Sequence, residues 1–150
     1  MFSKVLSASI LGMEVCPVQV EADISNGLPS FIMVGYVSSQ VKEAQDRVKT
    51  ALKNTGIYLP PKKITVNFSP SNIKKEGAGF DLPVAAAVLA AAQLYPGQRL
   101  EGMFLAGELS LSGKVNGIWG ILPMVAKARE LGCQTCLIPR ENVKEGRMIE

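Results

Sequence analysis

Lys74-Lys75-Glu76-Gly77-Ala78-Gly79-Phe80-Asp81-Leu82-Pro83, running on into Val84-Ala85-Ala86-Ala87-Val88-Leu89-Ala90-Ala91-Ala92, is the stretch whose reading decides the fold. Gly77 and Gly79 mark a turn, Asp81 is placed to cap a helix, and Pro83 is tolerated in the first helical turn, where an N–H is not needed. Residues 85–92 are apolar all round, and a helix without a polar face is buried on most sides. The rest of the chain must therefore supply walls around it.

Those walls are legible on both sides. Residues 4–10 and 15–24 alternate with period two. Val18, Val20, Ala22 and Ile24 face one way, Gln19, Glu21 and Asp23 the other, as in half-buried strands. Asn26-Gly27-Leu28-Pro29 supplies a turn, and residues 30–34 form a short apolar strand expected to pair antiparallel with its predecessor. Ser38 or Ser39 can cap the next helix, with Glu43 completing a capping box if the cap is Ser39 or nearby. On that helix Val41, Ala44, Val48, Ala51 and Leu52 share one arc, and Gly56 ends it. Residues 64–68 read as a strand after Pro60-Pro61. Downstream, residues 103–109 and 111–115 read as two tightly joined strands, residues 122–131 as a third helix ending at Gly132, and residues 135–138 as a further strand. Antiparallel pairs early and βαβ-like units later predict an α/β (α+β) two-layer sandwich of a mixed sheet and helices. No repeat or low-complexity linker divides it, so residues 1–150 read as a single domain.

Composition places the chain among ordinary globular proteins: 150 residues, 47% hydrophobic and 19% charged. A chain of this length can bury roughly 70% of its unfolded surface. The net charge of +3 permits an acidic partner without demanding one. Residues 1–11 do not form a signal peptide, and the apolar run at 82–92 is too short to span a bilayer. Three cysteines, an odd number in a chain too large to need staples, suit a reducing cytoplasm.

Several chemistries can be weighed from residue types alone. Gly77-Ala78-Gly79 before a helix invites a phosphate cradle, but a P-loop requires Gly-x-x-x-x-Gly-Lys-Ser/Thr, and a capping Asp81 puts negative charge where a phosphate would sit. With no histidine, every His-dependent triad is excluded. Ser69, Ser71, Ser110 and Ser112 accompany Lys75 and Lys114, yet a lysine acts as base only when burial lowers its pKa, and these lie in polar, turn-like segments that read as solvated surface. Cys133-Gln134-Thr135-Cys136 has a redox or zinc spacing. Zinc would need more ligands than Cys16 can add, and with Cys136 already in a strand the two thiols are expected to point to different faces, as small buried residues at a strand entrance. Lys42, Lys49 and Lys53 on one helical face, with Lys62, Lys63, Lys74 and Lys75 in two basic loops, are the candidates for a nucleic-acid surface. Asp46, Glu43 and Glu76 interrupt them, and no aromatic residue interleaves them to stack bases, so a solvated face is the competing reading.

Three stretches in order, Lys74 to Pro83 with the alanine-rich run to Ala92, Gly107-Glu108-Leu109-Ser110-Leu111-Ser112-Gly113-Lys114-Val115, and Leu137-Ile138-Pro139-Arg140-Glu141-Asn142, resemble the peptidase domain of Lon-type proteases. The resemblance implies a Lon-like, ribosomal S5 domain 2-like fold with a Ser-Lys dyad. It places the nucleophile at Gly79 and the base, within Trp119-Gly120-Ile121-Leu122-Pro123-Met124, at Leu122. Both dyad members are replaced, which implies a fold kept without its peptidase chemistry. A degenerate or substrate-activated Ser-Lys hydrolase is the alternative.

A nearer resemblance rests on Gly27-Leu28-Pro29-Ser30-Phe31-Ile32-Met33-Val34-Gly35, Val41-Lys42-Glu43-Ala44-Gln45-Asp46-Arg47-Val48-Lys49 and Asp81-Leu82-Pro83-Val84-Ala85. Together they resemble the N-terminal domain of Mg-chelatase-subunit-I-like AAA+ ATPases of the ComM (YifB) type, over essentially the whole chain. That family implies a non-catalytic module here, followed by an AAA+ module that binds ATP and Mg²⁺, assembles as a hexamer and drives DNA branch migration in the cytoplasm. No cofactor or metal is expected in this chain. The expected partners are the AAA+ module of the same chain and further copies, with DNA as a possible contact and no membrane. An autonomous DNA-binding module is a further alternative. The chain stops at Arg147-Met148-Ile149-Glu150 where a Lon-like domain continues through one more strand and helix, and so reads as a fragment of a longer protein.

Overall fold

The computed structural model describes residues 1–148. The stretch on which the fragment reading rests, 147–150, falls partly on residues 149 and 150, outside the described residues. The strands are β1 (Phe2–Leu11), β2 (Glu14–Ser25), β3 (Ser30–Val34), β4 (Lys63–Ser69), β5 (Met103–Leu105), β6 (Glu108–Leu109), β7 (Val115–Asn116) and β8 (Thr135–Leu137). Six of them form one mixed sheet in the order β3-β4-β2-β1-β5-β8, while β6 and β7 make a separate small hairpin. Its backbone is the long β1–β2 hairpin, in register from Phe2 opposite Asp23 to Leu11 opposite Glu14.

The helices are α1 (Ser39–Lys42), α2 (Ala44–Asn54), α3 (Asp81–Ala91), α4 (Ile121–Glu130) and α5 (Val143–Gly146). The period-two alternation of β1 and β2 divides the core. Val5, Val18 and Val20 lie in a cluster with Val48 and Leu52 of α2 and Val84, Ala87 and Val88 of α3. Leu6, Ala8 and Ile10, one residue out of step, meet Ile121, Met124 and Val125 of α4 through a second cluster. Fully buried aliphatic side chains such as Val18, Val20 and Val84 each contribute roughly 1.5–3 kcal/mol. The Ala-rich helix α3 is buried on most sides as its composition requires: Val84, Ala87 and Val88 are inaccessible to solvent. Among the described residues no helix is long and apolar enough to cross a membrane.

Two strand expectations need correction. β3 does not pair with β2; β4 lies between them, antiparallel to β2 and parallel to β3. The connection from β3 to β4 runs through α1 and α2, and a helical crossover joins parallel neighbours. Residues 103–109 are not one strand either. After Leu105 the chain leaves the sheet, and the Gly107 N–H donates to the Gly79 carbonyl at 2.9 Å while the Leu82 N–H donates to the Gly107 carbonyl at 3.0 Å. Residues 111–115 likewise contribute only Val115 to a strand, since Ser110 to Lys114 form the tight turn between β6 and β7.

Capping also differs from expectation. Ser38 is the cap of α1, its Oγ accepting from the Val41 N–H at 3.2 Å. The capping box does not form, because Glu43 sits between α1 and α2 as the C-terminal cap of one and the N-terminal cap of the next. Asp81 does not cap α3 but is its first residue, and its carboxylate is engaged elsewhere.

Candidate functional site

The loop before α3 and the loop before α4 face each other across a cleft of about 730 Å³. One wall is Gly77, Ala78 and Gly79; the other is Ile118, Trp119 and Gly120, with Met124 behind. The sequence puts a glycine, Gly79, where the two walls approach closely. A Cβ on Gly79 would lie 2.8 Å from Ile118 Cδ1, so even one added side-chain atom requires Ile118 to shift. Gly79, the expected nucleophile position, thus opens on this cleft. Leu122, the expected base position, is half-buried in the first turn of α4 and is not among the lining residues.

The Trp119 loop is held from beneath. Asn142 is buried; its Oδ1 accepts from the Ile118 N–H at 2.9 Å, and its Nδ2 donates to the Ile118 carbonyl at 3.0 Å and to Glu145 Oε1 at 2.6 Å. This amide pairs with both backbone groups of one residue, as a neighbouring strand would. Gly120 then takes φ +86°, and a Cβ there would fall 2.2 Å from Ile10 Cδ1. Glycine meets that left-handed backbone without strain and without displacing Ile10. The clamp leaves Trp119 97% exposed. The stretch ending in Asn142 was visible in the sequence, but its role as a clamp was not.

Behind the other wall lies an ion pair that composition did not reveal. Arg47 on α2 reaches Asp81 with both forks, Nε to Oδ2 at 2.6 Å and Nη2 to Oδ1 at 3.0 Å, and the Leu109 N–H donates to Oδ2 at 2.9 Å. The hydrogen bond from Arg47 to Asp81 raises the guanidinium's pKa, whereas burial pushes the Asp81 carboxyl up against the pull of Arg47 and Leu109. Those directions oppose one another. All three contacts to Asp81 are donors, leaving no acceptor for a carboxyl proton, so the ionised form satisfies the geometry. The pair ties α2, the start of α3 and β6 together. With Leu82 N–H taken by Gly107 and a carboxylate in the first turn, the start of α3 is poorly suited to a phosphate.

Lys75 corrects two expectations. It is wholly buried rather than solvated, so it leaves the candidate nucleic-acid surface. Its backbone bonds to Tyr36 and Ser38, which carries the side chain inward, where Nζ donates to the Pro70 carbonyl. Burial lowers its pKa. Among the described residues no lysine ammonium donates to a serine hydroxyl; Ser110 Oγ instead lies 2.8 Å from Ser112 Oγ and accepts from the Lys114 backbone N–H. Lys42, Lys49, Lys53, Lys62, Lys63 and Lys74 are exposed. Lys42 stands on α1, across the Glu43 break from Lys49 and Lys53, and Lys74 pairs with Glu76 at 3.8 Å.

Cys133 and Cys136 do not point to different faces. Both pack against the α4 cluster and line one hollow of about 350 Å³, because Cys133 precedes the strand in a turn closed by its N–H to the Ala128 carbonyl. Burial pushes both thiols up, the direction of inert rather than reactive cysteines. Cys16 lies apart on β2, and all three cysteines are free. No group of metal ligands is found among the described residues.

Comparison with known proteins agrees with this framework. The family model described as subunit ChlI of Mg-chelatase matches residues 20–142. The chain is 41% identical over 139 residues to the YifB protein of Salmonella typhimurium, covering 93% of this chain and 27% of that protein. It is 37% identical over 145 residues to the competence protein ComM of Haemophilus influenzae, covering 97% of this chain and 28% of that one. It spans under a third of the length of both. A more distant match, 31% identical over 104 residues, is Lon protease 2 of Bacillus subtilis, covering 69% of this chain and 18% of that protease. A model that matches most of the chain, and relatives aligned over nearly all of it, place this chain in the Mg-chelatase subunit ChlI family, of the YifB and ComM type.

Proposed function

We propose that the chain is a non-catalytic Lon-like module of a ComM-type AAA+ ATPase. The observation that carries this reading is the cleft at Gly79. Its position matches the Lon nucleophile by sequence, no hydroxyl is present there, Ile118 occupies the space beside it, and the buried Lys75 donates to a backbone carbonyl instead of a serine. The remaining length of such a protein carries the P-loop with ATP and Mg²⁺, forms the hexameric ring and moves DNA junctions in the cytoplasm. This module serves the motor through packing, oligomer contacts or substrate guidance.

The full-length protein tests the reading. It should hydrolyse ATP and migrate a Holliday junction, while cleaving no fluorogenic peptide and taking no label from a serine-directed fluorophosphonate. Peptide turnover by the pure protein returns the hydrolase reading. The exposed lysines supply at most a modest, salt-sensitive contribution to DNA binding. Tight DNA binding by the 150-residue chain at physiological salt, lost in Lys42→Glu with Lys49→Glu, moves the DNA contact into this module.

A further inference from the structure

We infer that the cleft beside Trp119 docks an extended, cationic polypeptide segment, with an arginine or lysine of the guest stacked on the indole. This goes beyond the motor assignment and does not depend on it.

The first observation is the tryptophan. It is the chain's single tryptophan, it stands 97% exposed, and a buried amide clamps the loop that presents it. Large aromatic side chains contribute most when buried, so a solvated indole presented by a hydrogen-bonded loop is an unfilled contact. The second is shape. The loop from Gly117 to Gly120 is shared by the 730 Å³ cleft on one side and a smaller hollow of about 370 Å³ on the other. The opposite wall, Gly77 to Gly79, presents mainly backbone, which lets a guest main chain approach closely.

The third observation is charge, and it selects the guest. Glu76 and Glu108 line the larger cleft, Glu141 and Glu145 the smaller hollow, and no lysine or arginine lines either. This holds in a chain whose net charge is +3, and among the described residues the one ammonium paired with these carboxylates is that of Lys74, on Glu76. Two of the four carboxylates have local amide partners, Glu108 with Asn116 and Glu145 with Asn142. Glu76 has only the exposed contact with Lys74, weak enough for a guest cation to displace. Four carboxylates around an aromatic face repel nucleic-acid phosphates and attract a cation, which the indole quadrupole also favours. A basic peptide answers both features, and an apolar peptide answers only one.

Tryptophan fluorescence reads the site directly, because only Trp119 contributes. A short peptide alternating arginine with leucine should shift the emission to the blue, saturably, and less so as salt is added. Anisotropy of the same peptide, dye-labelled, should show roughly tenfold weaker binding to Trp119→Ala, the loss expected of a desolvated cation–π contact. Glu76→Gln with Glu141→Gln should weaken binding and flatten its salt dependence. Trp119→Phe should retain part of the affinity, and all these positions are exposed, so folding is not at stake. Equal binding of a peptide with glutamate in place of arginine overturns the proposal, as does unchanged affinity in Trp119→Ala or displacement by a DNA oligonucleotide. Self-association of the chain through Trp119 in sedimentation, without peptide, assigns the cleft to a second copy and overturns it equally.

Discussion

Replacing Arg47 by methionine should cost the fold far more than replacing Asp81 by asparagine, although both substitutions break the same ion pair. Asp81 is wholly buried, while the Arg47 side chain keeps 22% of its surface in water. Without Arg47 the carboxylate retains one partner, the Leu109 N–H. An uncompensated charge in the interior costs about 3–5 kcal/mol. For a domain of this length, that corresponds to a melting temperature lower by roughly 6–20 °C. Asp81→Asn leaves a neutral amide that can still accept from Leu109, and a guanidinium able to turn to solvent, so its cost should be roughly 1–2 kcal/mol. The variant carries its own pH signature. Burial already pushes the carboxyl above its ordinary 3.8, and losing Arg47 removes the main opposing influence. A folded-state pKa above the unfolded one means that the folded state binds more protons between the two values. Stability therefore falls as pH rises through that window and recovers as the acid protonates. Arg47→Met should regain stability on acidification from neutral pH toward that window, and the double variant with Asp81→Asn should not. Urea midpoints across pH measure this, and equal losses for both single variants, without acid recovery, would refute the buried-charge argument.

Three further outcomes follow from the site. Asn142→Ala removes the amide that pairs with the backbone N–H and carbonyl of Ile118; it should cost about 1–3 kcal/mol and abolish hydrogen-exchange protection at the Ile118 N–H, leaving the β1–β2 amides protected. Gly120→Ala, with φ +86° and Ile10 Cδ1 at 2.2 Å from the new Cβ, should cost roughly 2–4 kcal/mol by strain and overpacking, which thermal melts will read. Lys75 has its pKa lowered by burial from 10.5, so the unfolded state binds more protons from that lowered value up to 10.5, and stability should rise with pH there. Lys75→Met should flatten that rise in denaturant titrations; an unchanged slope refutes the buried ammonium.

Which parts of this arrangement were legible depended on how local their cause is. β1, β2 and the buried face of α2 follow from periodicity, and the burial of α3 from its lack of any polar face, which each segment carries in its own residues. The place of β4 between β2 and β3 does not, because it is set by the crossover helix packing as a unit over a parallel pair. Residues 103–109 read as a strand from composition, yet the chain turns away at Ala106 to bond with Gly79 and Leu82, partners nearly thirty residues earlier. Lys75 shows the same limit. Between Lys74 and Glu76 it looks solvated, and only the backbone bonds to Tyr36 and Ser38 turn its side chain inward. Arg47 and Asp81 were each plain as charges, but nothing local marked them as partners across 34 positions.

The stretches that carry the family resemblance turn out to be joints of a single construction. Arg47 from one stretch holds Asp81 from another; Gly107 bonds at both ends to the loop and helix around Gly79; Asn142, at the end of the third, clamps the loop opposite. Every one of these contacts positions a wall of the same cleft. A domain kept only for packing would have no physical reason to maintain two loops facing each other across an open volume, with glycine where side chains would fill it and a tryptophan held out in water. Filling that space with apolar side chains would add buried area and stability at no cost to the sheet. A vacated nucleophile site and a docking surface are compatible readings of one cleft, and the carboxylates along it favour a cationic guest for the docking proposed above.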